Sequence, residues 1–334
     1  MKKDLSALFR LSLCAIVAFI CLAGGRGFSV EISRRPDDLL GPLMGNIPKT
    51  VRVTLTAQEI TATIDSKANV SFRYFTFNGR VPGPFIRVME GDTLEVTLVN
   101  PKTNTETHTV DFHAIKGFRG GATRMMAPPG QSRRSSFQIT RPGLYVYHCV
   151  GNGSVHDVLH HINNGMYGLI LVEPRDLDNE FQKLLRSPNL KEFYVMQGEF
   201  HINDEVPGNM DHEKGLREDP DYVVFNGRVN ALSDYPLRST IGDNVIIYFG
   251  NAGPNKISSF HIVGEIFDKV WREGVLASPP FRYVQTTAVP AGGAAVLHLK
   301  SEKSSTEAGS YLLIDHSVFR IAKGAMGHLW VSGY

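Results

Sequence analysis

The sequence has few cysteines, little net charge and, over most of its length, no long apolar run. Its 334 residues include three cysteines, and 35 basic residues nearly balance 33 acidic ones. A formal net charge of +2 gives no reason to expect nucleic acid or an acidic membrane surface as a partner. Beyond residue 25, no segment approaches 18 consecutive apolar residues, so no membrane span is expected there.

The first 25 residues have a composition of their own. A basic start, MKKDLSALFR, precedes the short apolar run LSLCAIVAFICLA, and small residues follow in AGG. This order predicts a secretory signal peptide over 1–25, with an uncleaved membrane anchor as the alternative. The remaining chain is then expected to be soluble and extracytoplasmic, for example periplasmic.

Removal of that segment would leave a single cysteine. Cys14 and Cys21 lie within 1–25, so Cys149 is the one cysteine of the expected mature chain and cannot form an internal disulfide. An unpaired cysteine in an exported protein is a reactive thiol, an intermolecular bridge, a metal ligand or a buried inert thiol. The residues around Cys149 decide between these alternatives.

Helical periodicity is scarce beyond residue 50, where segments such as TVRVTLTAQEITATI and GLYVYHC alternate or are rich in β-branched and aromatic residues. Many short strands of this kind predict an all-β fold, a β-sandwich or Greek-key barrel. The segment TFNGRVPGP (76–84) recurs as VFNGRVNAL (224–232), and further pairs follow in the same order at an offset of about 150 residues. This repeat predicts two similar β-domains in tandem.

The predicted organisation has four parts after the signal peptide. They are an N-terminal extension (26–48), a first domain (49–175), a charged and turn-rich linker (176–220) and a second domain (221–334). Within the linker, LDNEFQKLLRS (177–187) is the one segment in which a short helix is expected.

Histidines concentrate around the lone cysteine in a pattern that strand geometry sorts into two sets. Successive side chains of a strand point to opposite faces, and residues two apart share a face. Asp111 and His113 therefore share a face, whereas the adjacent His148 and Cys149 point to opposite faces. If the two strands pair in suitable register, one face collects His108 with Cys149 and the other collects Asp111, His113 and His148.

The set around Cys149 is completed by the segment that follows it. His161 and Met166 lie within the same strand-to-strand connection. Two histidines, one thiolate and a thioether are the ligands of a blue-copper site, with methionine as the weak axial ligand. The pattern therefore predicts a copper site on His108, Cys149, His161 and Met166.

The set on the other face is one ligand short. His113 and His148 would need a third imidazole to make an open, catalytic metal site. The second domain offers His261, in SSFHIVGEIFD, and His316, which occupies the repeat position that corresponds to the end of the His148–Cys149 strand. No cysteine lies in the second domain, so no blue-copper site is expected there.

Five motifs together resemble the two-domain copper-containing nitrite reductases: HTVDFHA, PGLYVYHC, HINNGMYGLILVEP, SSFHIVGEIFDKVW and IDHSVFR. The resemblance covers nearly the whole predicted mature chain. It implies two tandem Greek-key cupredoxin-like β-sandwich domains and two copper ions per subunit. It implies type 1 copper on His108, Cys149, His161 and Met166, and type 2 copper on His113, His148 and a His316 contributed by the neighbouring subunit of a homotrimer.

The resemblance also implies an activity. Nitrite would be reduced by one electron to nitric oxide and water, with Asp111 and His261 as the catalytic proton pair and Val263 as a wall of the substrate pocket. The electron would come from a small cupredoxin or a c-type cytochrome, enter at type 1 copper and pass through Cys149–His148 to type 2 copper. On the residues alone, Asp111 could instead orient a histidine, and His261 could be an ordinary core residue.

Two rival functions share parts of this pattern. A laccase-like multicopper oxidase needs histidine pairs of HxH and HCH type, but this chain has HCV at the cysteine. A non-catalytic cupredoxin electron carrier would have no use for His113, His148 and His316.

The segment from Cys149 to His161 is longer than expected for the family and contains three histidines. The spacing HINNGM to Met166 favours His161 as the ligand, with His160 as its competitor. His156 is expected to be a solvated loop residue or part of a surface where the donor docks.

Overall fold

The computed structural model describes residues 30–43, 45, 47–302 and 305–333. The predicted signal peptide, with Cys14 and Cys21, lies outside the described residues. Residues 31–334 form one compact unit, and every element below belongs to it. Among the described residues, no helix combines the length and the apolar character that a membrane crossing requires.

Strands dominate the described residues. In chain order they are β1 (Thr50–Asp65), β2 (Val70–Phe77), β3 (Ile86–Met89), β4 (Thr93–Val99), β5 (Asp111–Phe112), β6 (Ser132–Gln138), β7 (Gly143–His148), β8 (Tyr167–Glu173), β9 (Leu190–Phe200), β10 (Tyr222–Phe225), β11 (Leu237–Thr240), β12 (Asn244–Asn251), β13 (Ser258–Ile262), β14 (Phe267–Trp271), β15 (Phe281–Val284), β16 (Thr286–Val289), β17 (Gly293–Lys300), β18 (Gly309–Asp315) and β19 (Met326–Ser332). The α-helices are α1 (Val155–Asn163), α2 (Glu180–Leu185), α3 (His212–Leu216) and α4 (Ala231–Asp234), and 3₁₀ turns cover Phe118–Arg124, Arg272–Gly274 and Val318–Arg320.

The strands form two pairs of sheets. In the first half of the chain the orders are β2-β1-β4-β6 and β3-β8-β7-β5, and in the second half they are β10-β9-β12-β17-β14-β15 and β11-β19-β18-β13-β16. The β4 sequence TLEVTLV alternates buried with partly exposed residues, as a strand with one face on a core must. The β8 sequence YGLILVE is buried throughout, so both faces of this strand are covered. The predicted all-β sandwich fold is confirmed.

Three buried apolar clusters account for the packing. One lies within the first half and includes Val96, Phe112 and Ile170. A second lies within the second half. The third joins the halves, since Leu169 packs in the same cluster as Tyr248. The boundaries at 49–175 and 221–334 stay a prediction.

The repeated FNGRV motif forms the same turn twice. Asn78 and Gly79 have φ angles of 59° and 72°, and Asn226 and Gly227 have φ angles of 47° and 90°. Asparagine and glycine tolerate this left-handed region better than other residues, which explains why both copies keep the Asn-Gly pair.

Two segments test the helix predictions. The short helix expected within 177–187 is confirmed as α2, whose first N–H groups are capped by the side chain of Asn179. The interpretation of the segment after Cys149 as a loop is wrong, because residues 155–163 form α1. The Ser154 side chain accepts a hydrogen bond from the Asp157 backbone N–H at 3.1 Å, and Asp157 lies in the positive first turn. The Ser-x-x-Asp spacing was the available sequence signal for this helix.

Candidate metal centres

The first candidate centre brings together His108, Cys149 and His161. Cys149 directly follows β7, His161 lies in the last turn of α1, and His108 forms a β-bridge with Ala127. The Cys149 Sγ lies 3.0 Å from Nδ1 of His161 and 3.8 Å from Nδ1 of His108. All three side chains are buried, so one sulfur and two imidazole nitrogens converge in a site closed to water.

Met166 is tied to the same centre through its backbone. Its carbonyl oxygen accepts a hydrogen bond from the Cys149 N–H at 2.9 Å, and its own N–H donates to the carbonyl of His161 at 3.0 Å. The Met166 side chain is fully buried. These contacts keep the Met166 backbone beside Cys149 and His161.

The cysteine sulfur is surrounded by hydrogen-bond donors. The backbone N–H groups of Thr109 and Gly151 point to Sγ at 3.2 and 3.4 Å. Burial opposes ionisation of the thiol, but the charge of His161 and the hydrogen bonds from both histidines outweigh it and hold the pKa of Cys149 well below its ordinary value. The thiolate is the form that binds metals, so the site favours the state a soft metal ion requires.

A carboxylate orients the other nitrogen of His108. Oε1 of Glu59 lies 3.3 Å from His108 Nε2, and it also accepts the backbone N–H groups of Thr105 and Glu106 at 2.8 Å each. The second oxygen, Oε2, accepts from Arg73 at 2.7 Å. An Nε2–H that donates to Glu59 leaves Nδ1 directed at the sulfur, which is the arrangement of a metal-binding histidine.

The same contacts perturb the titration of His108. Burial acts to lower its pKa, but the hydrogen bonds with Cys149 and Glu59 raise the pKa to about 9. The raised pKa favours a proton on Nδ1 of His108. A metal ion that binds Nδ1 would displace that proton, as metal binding to histidine generally does. Glu59 was not recognised from the sequence, because it lies 49 residues from His108 on a different strand.

The second candidate centre consists of Asp111, His113 and His148. The Nε2 atoms of the two histidines lie 3.2 Å apart, and a carboxylate oxygen of Asp111 lies 3.9 Å from Nε2 of His148. For a metal ion about 2 Å from each nitrogen, this separation corresponds to an N–metal–N angle of about 105°, close to tetrahedral. The donor set fits a metal ion that still needs further ligands.

The pairing of β5 with β7 explains why the two centres adjoin. Asp111 lies directly opposite His148 in this antiparallel pair. Cys149 follows His148 and points to the buried side, whereas the second centre reaches the surface. Loss of part of its hydration and the neighbouring imidazole of His148 lower the pKa of His113, which favours the neutral ring that a ligand must have.

The predicted residues of the second half form a separate group. The rings of His261 and His316 lie 5.3 Å apart between centroids. Nδ1 of His261 lies 2.7 Å from the carbonyl oxygen of Gln285, and Val263 is 46% exposed. Within the described part of this one chain, His316 does not join the cluster of Asp111, His113 and His148.

The two competing histidines of α1 have other contacts. Nε2 of His160 lies 3.0 Å from Oδ1 of Asn209, and the His160 ring packs against Phe75. The side chain of His156 is 62% exposed and lies beside His212. Of the three histidines, only His161 directs a nitrogen at the cysteine sulfur.

A cavity of about 310 Å³ opens beside the second centre. Asp111 and His148 line it together with Arg119, Met126 and Val158. The turn 118–124 borders it, and Arg119, Gly120 and Gly121 there all have left-handed φ angles of 50°, 52° and 86°. Gly120 packs so closely on Asp111 that an added Cβ would overlap Oδ1 and lie 2.8 Å from Cγ. Sequence reasoning missed Arg119 and Gly120, since only the folded turn brings them to Asp111.

Comparisons with known proteins identify the relatives of this chain. Residues 56–177 match the family model described as multicopper oxidase. The copper-containing nitrite reductase of Neisseria meningitidis serogroup B is 45% identical over 293 residues, which cover 86% of this chain and 70% of that protein. The copper-containing nitrite reductase of Pseudomonas chlororaphis is 33% identical over 99% of this chain and 93% of its own. The solved copper nitrite reductase of Nitrosomonas europaea is 33% identical, with a TM-score of 0.72 over 85% of this chain and 94% of its own.

Paired β-sandwiches with one buried sulfur-and-imidazole centre and one open imidazole centre are the arrangement of a cupredoxin-like oxidoreductase. Within that class, the chain belongs to the family of the copper-containing nitrite reductases. The family resemblance and the enzyme class predicted from the sequence are thereby confirmed. The roles of the individual site residues stay predictions.

Proposed function

We propose that this protein reduces nitrite to nitric oxide and water, according to NO₂⁻ + 2H⁺ + e⁻ → NO + H₂O. The observation that carries the proposal is the His148–Cys149 dipeptide, whose two side chains enter two different ligand groups. Relatives named as copper-containing nitrite reductases over most of the chain support the same reaction.

The donor sets fit two coppers. His108, Cys149, His161 and Met166 would hold type 1 copper, and His113, His148 and His316 of the partner subunit would hold type 2 copper. When bound, the copper ions would supply the one-electron redox chemistry of the reaction. The peptide between Cys149 and His148 is the shortest covalent connection between the two ligand sets, and we assign the electron path to it.

Asp111 is the first proton source of the proposed reaction. It lines the cavity of about 310 Å³ with His148, and its carboxylate is half-buried. A carboxylic acid in this position can hydrogen-bond an oxygen of nitrite and deliver a proton as the N–O bond breaks. The packing of Gly120 against the carboxylate restricts it to the cavity side.

His261 is the second member of the proton pair. Its Nδ1–H donates to the carbonyl of Gln285, which fixes the ring and leaves Nε2 for a water or for substrate. The exposed side chain of Val263, two residues further along, would form an apolar wall of the pocket.

A homotrimer would unite these two half-sites. His261, Val263 and His316 belong to the second half of the chain, and exposed apolar side chains lie near them in sequence: Ile257 is 56%, Val318 51% and Phe319 89% exposed. Apolar surface of this kind is typical of an interface between subunits. We therefore assign the site to a boundary between protomers.

The proposal also includes a location for the enzyme and an electron donor. The predicted signal peptide over 1–25 supports a periplasmic or otherwise extracytoplasmic enzyme. A small cupredoxin or a c-type cytochrome would then deliver the electron near the first centre.

The test is nitrite-dependent formation of nitric oxide by copper-loaded protein, combined with copper analysis and light scattering. We expect two coppers per chain, one intensely coloured, and a trimeric mass. Wild-type protein with both coppers bound and no nitric oxide formation would overturn the proposal. One coloured copper per chain without turnover would identify an electron carrier instead.

A further inference from the structure

The cavity beside the second centre is lined by one cationic side chain that has no role in the proposed reaction so far. Arg119 lines this cavity with Asp111 and His148. One guanidinium nitrogen, Nη1, lies 3.1 Å from the point that a Cβ on Gly153 would occupy. The side chain therefore reaches from the turn 118–124 to the loop that follows Cys149, across the rim of the cavity.

The charge of Arg119 has no partner in the described residues of this chain. No carboxylate there forms an ion pair with it within 4.0 Å and no hydrogen bond engages it, and its contact is with the ring of Phe118 at 5.5 Å. Arg175, by comparison, is paired with Asp92 at 2.8 Å. An unpaired guanidinium at the rim of a cavity is available to an incoming ligand.

The local backbone directs this side chain to the rim. Arg119 adopts a φ of 50°, a region that a residue with a Cβ occupies at a cost of about 1 kcal/mol or more. Gly120 and Gly121 continue the left-handed conformation and bring the turn against Asp111 and Phe137. A strained non-glycine residue beside a catalytic carboxylate is a common feature of functional sites.

We propose that Arg119 is the anion-recruiting residue of this cavity, which attracts nitrite or another small monovalent anion and holds it beside His148. The inference rests on the proposed function for the identity of the anion. Among the residues that line the cavity, Arg119 is the one that carries a permanent positive charge. Guanidinium groups also donate two parallel hydrogen bonds, which suits the two oxygens of nitrite.

The test compares three variants of the copper-loaded, full-length protein. Arg119→Gln removes the charge and keeps most of the side-chain length, whereas Arg119→Lys keeps the charge. Lys116→Gln is the control, since it removes an exposed positive charge three residues earlier in the same chain, outside the cavity. We expect Arg119→Gln to raise KM for nitrite about tenfold with kcat within about twofold. Arg119→Lys should recover most of the loss, and Lys116→Gln should match wild type.

The dependence of kcat/KM on ionic strength separates recruitment of the anion from a structural effect. In wild type, kcat/KM should fall with ionic strength, and Arg119→Gln should flatten this dependence, since screened attraction is what it removes. An unchanged KM and an unchanged salt dependence in Arg119→Gln overturn the inference. A lower kcat with unchanged KM also overturns it, because the residue would then act through the position of Asp111.

Anion binding without turnover distinguishes this inference from the proposed function. Calorimetric titration of copper-loaded protein with azide and with nitrite should give dissociation constants about tenfold weaker in Arg119→Gln than in wild type. If the variant binds the anions more weakly and the wild-type protein makes no nitric oxide, Arg119 is retained as an anion site and the nitrite reaction is rejected. If wild type and Arg119→Gln bind the anions equally and wild type does reduce nitrite, only the role of Arg119 is rejected.

Discussion

Replacement of Gly120 with alanine tests whether the turn 118–124 sets the position of Asp111. An alanine Cβ at this position would overlap Asp111 Oδ1, lie 2.8 Å from its Cγ and lie 3.0 Å from the carbonyl oxygen of Phe112. The backbone oxygen belongs to β5 and cannot yield easily. The carboxylate is the softer neighbour, so it should move.

The size of the effect follows from that overlap. Relief of the clash moves the carboxylate by about 1 Å or more, and a misplacement of that size at a reacting group costs on the order of 100-fold in rate. The left-handed φ of 52° adds about 1 to 2 kcal/mol of conformational cost for alanine. We therefore expect Gly120→Ala to lower kcat for nitrite about 100-fold while the protein stays folded.

The assay is steady-state nitrite reduction by copper-loaded protein, with the visible spectrum of the first centre as a check on folding. Gly117→Ala is the matched control, since it lies in the same segment, has an extended φ of 164° and would place its Cβ where no atom lies within 4 Å. In an Asp111→Asn background, Gly120→Ala should cause little further loss, because both changes remove one function. A Gly120→Ala variant with kcat within twofold of wild type, or a loss that adds fully to that of Asp111→Asn, would refute the reasoning.

Three other predictions concern the first centre and the stability of the fold. His161→Ala should abolish the intense visible colour and His160→Ala should retain it, because only His161 places a nitrogen 3.0 Å from the cysteine sulfur; the reverse result in absorption spectra would contradict the ligand assignment. Glu59→Gln should weaken copper binding at this centre roughly 10- to 100-fold and shift its reduction potential, since it removes the charge that orients His108; titration with copper and a spectroelectrochemical potential equal to wild type would argue against this role. Burial raises the pKa of Glu265 from 4.5 to about 7, so its neutral form stabilises the fold below pH 4.5 and this contribution is lost as the pH rises through 7. Glu265→Gln should therefore have a higher Tm than wild type at pH 8 but not at pH 4.5. An equal difference in Tm at both pH values would exclude this titration.

The sequence was most informative where a short-range rule applies. The alternation of side chains along a strand separated His148 from Cys149, and the same rule placed Asp111 and His113 together. The tandem repeat and the strand patterns predicted the all-β fold. The helix α1 was missed because its nine residues follow a turn-rich segment and carry three histidines, although Ser154 and Asp157 already formed a capping signal.

Residues that act across strands were beyond these rules. Glu59 is distant from His108 in the chain, and its role depends on the loop 105–108 folding onto β1. Arg119 and Gly120 looked like ordinary turn residues until three successive left-handed φ angles brought them against Asp111 and the cavity. The chemistry of such residues depends on contacts that local propensity does not encode.

The sequence by itself determined the candidate ligand types, their order and the division into two faces, because side-chain chemistry and strand periodicity are local properties. Only the tertiary structure decided which histidine of α1 meets the sulfur, which carboxylate lies beside His108 and which cationic side chain borders the cavity at the second centre. Those outcomes depend on packing between segments far apart in the chain, where differences of about 1 Å select one partner over another. The segment YVYHCV (145–150) therefore specified the two adjacent candidate ligands, and the surrounding fold supplied the residues that meet them.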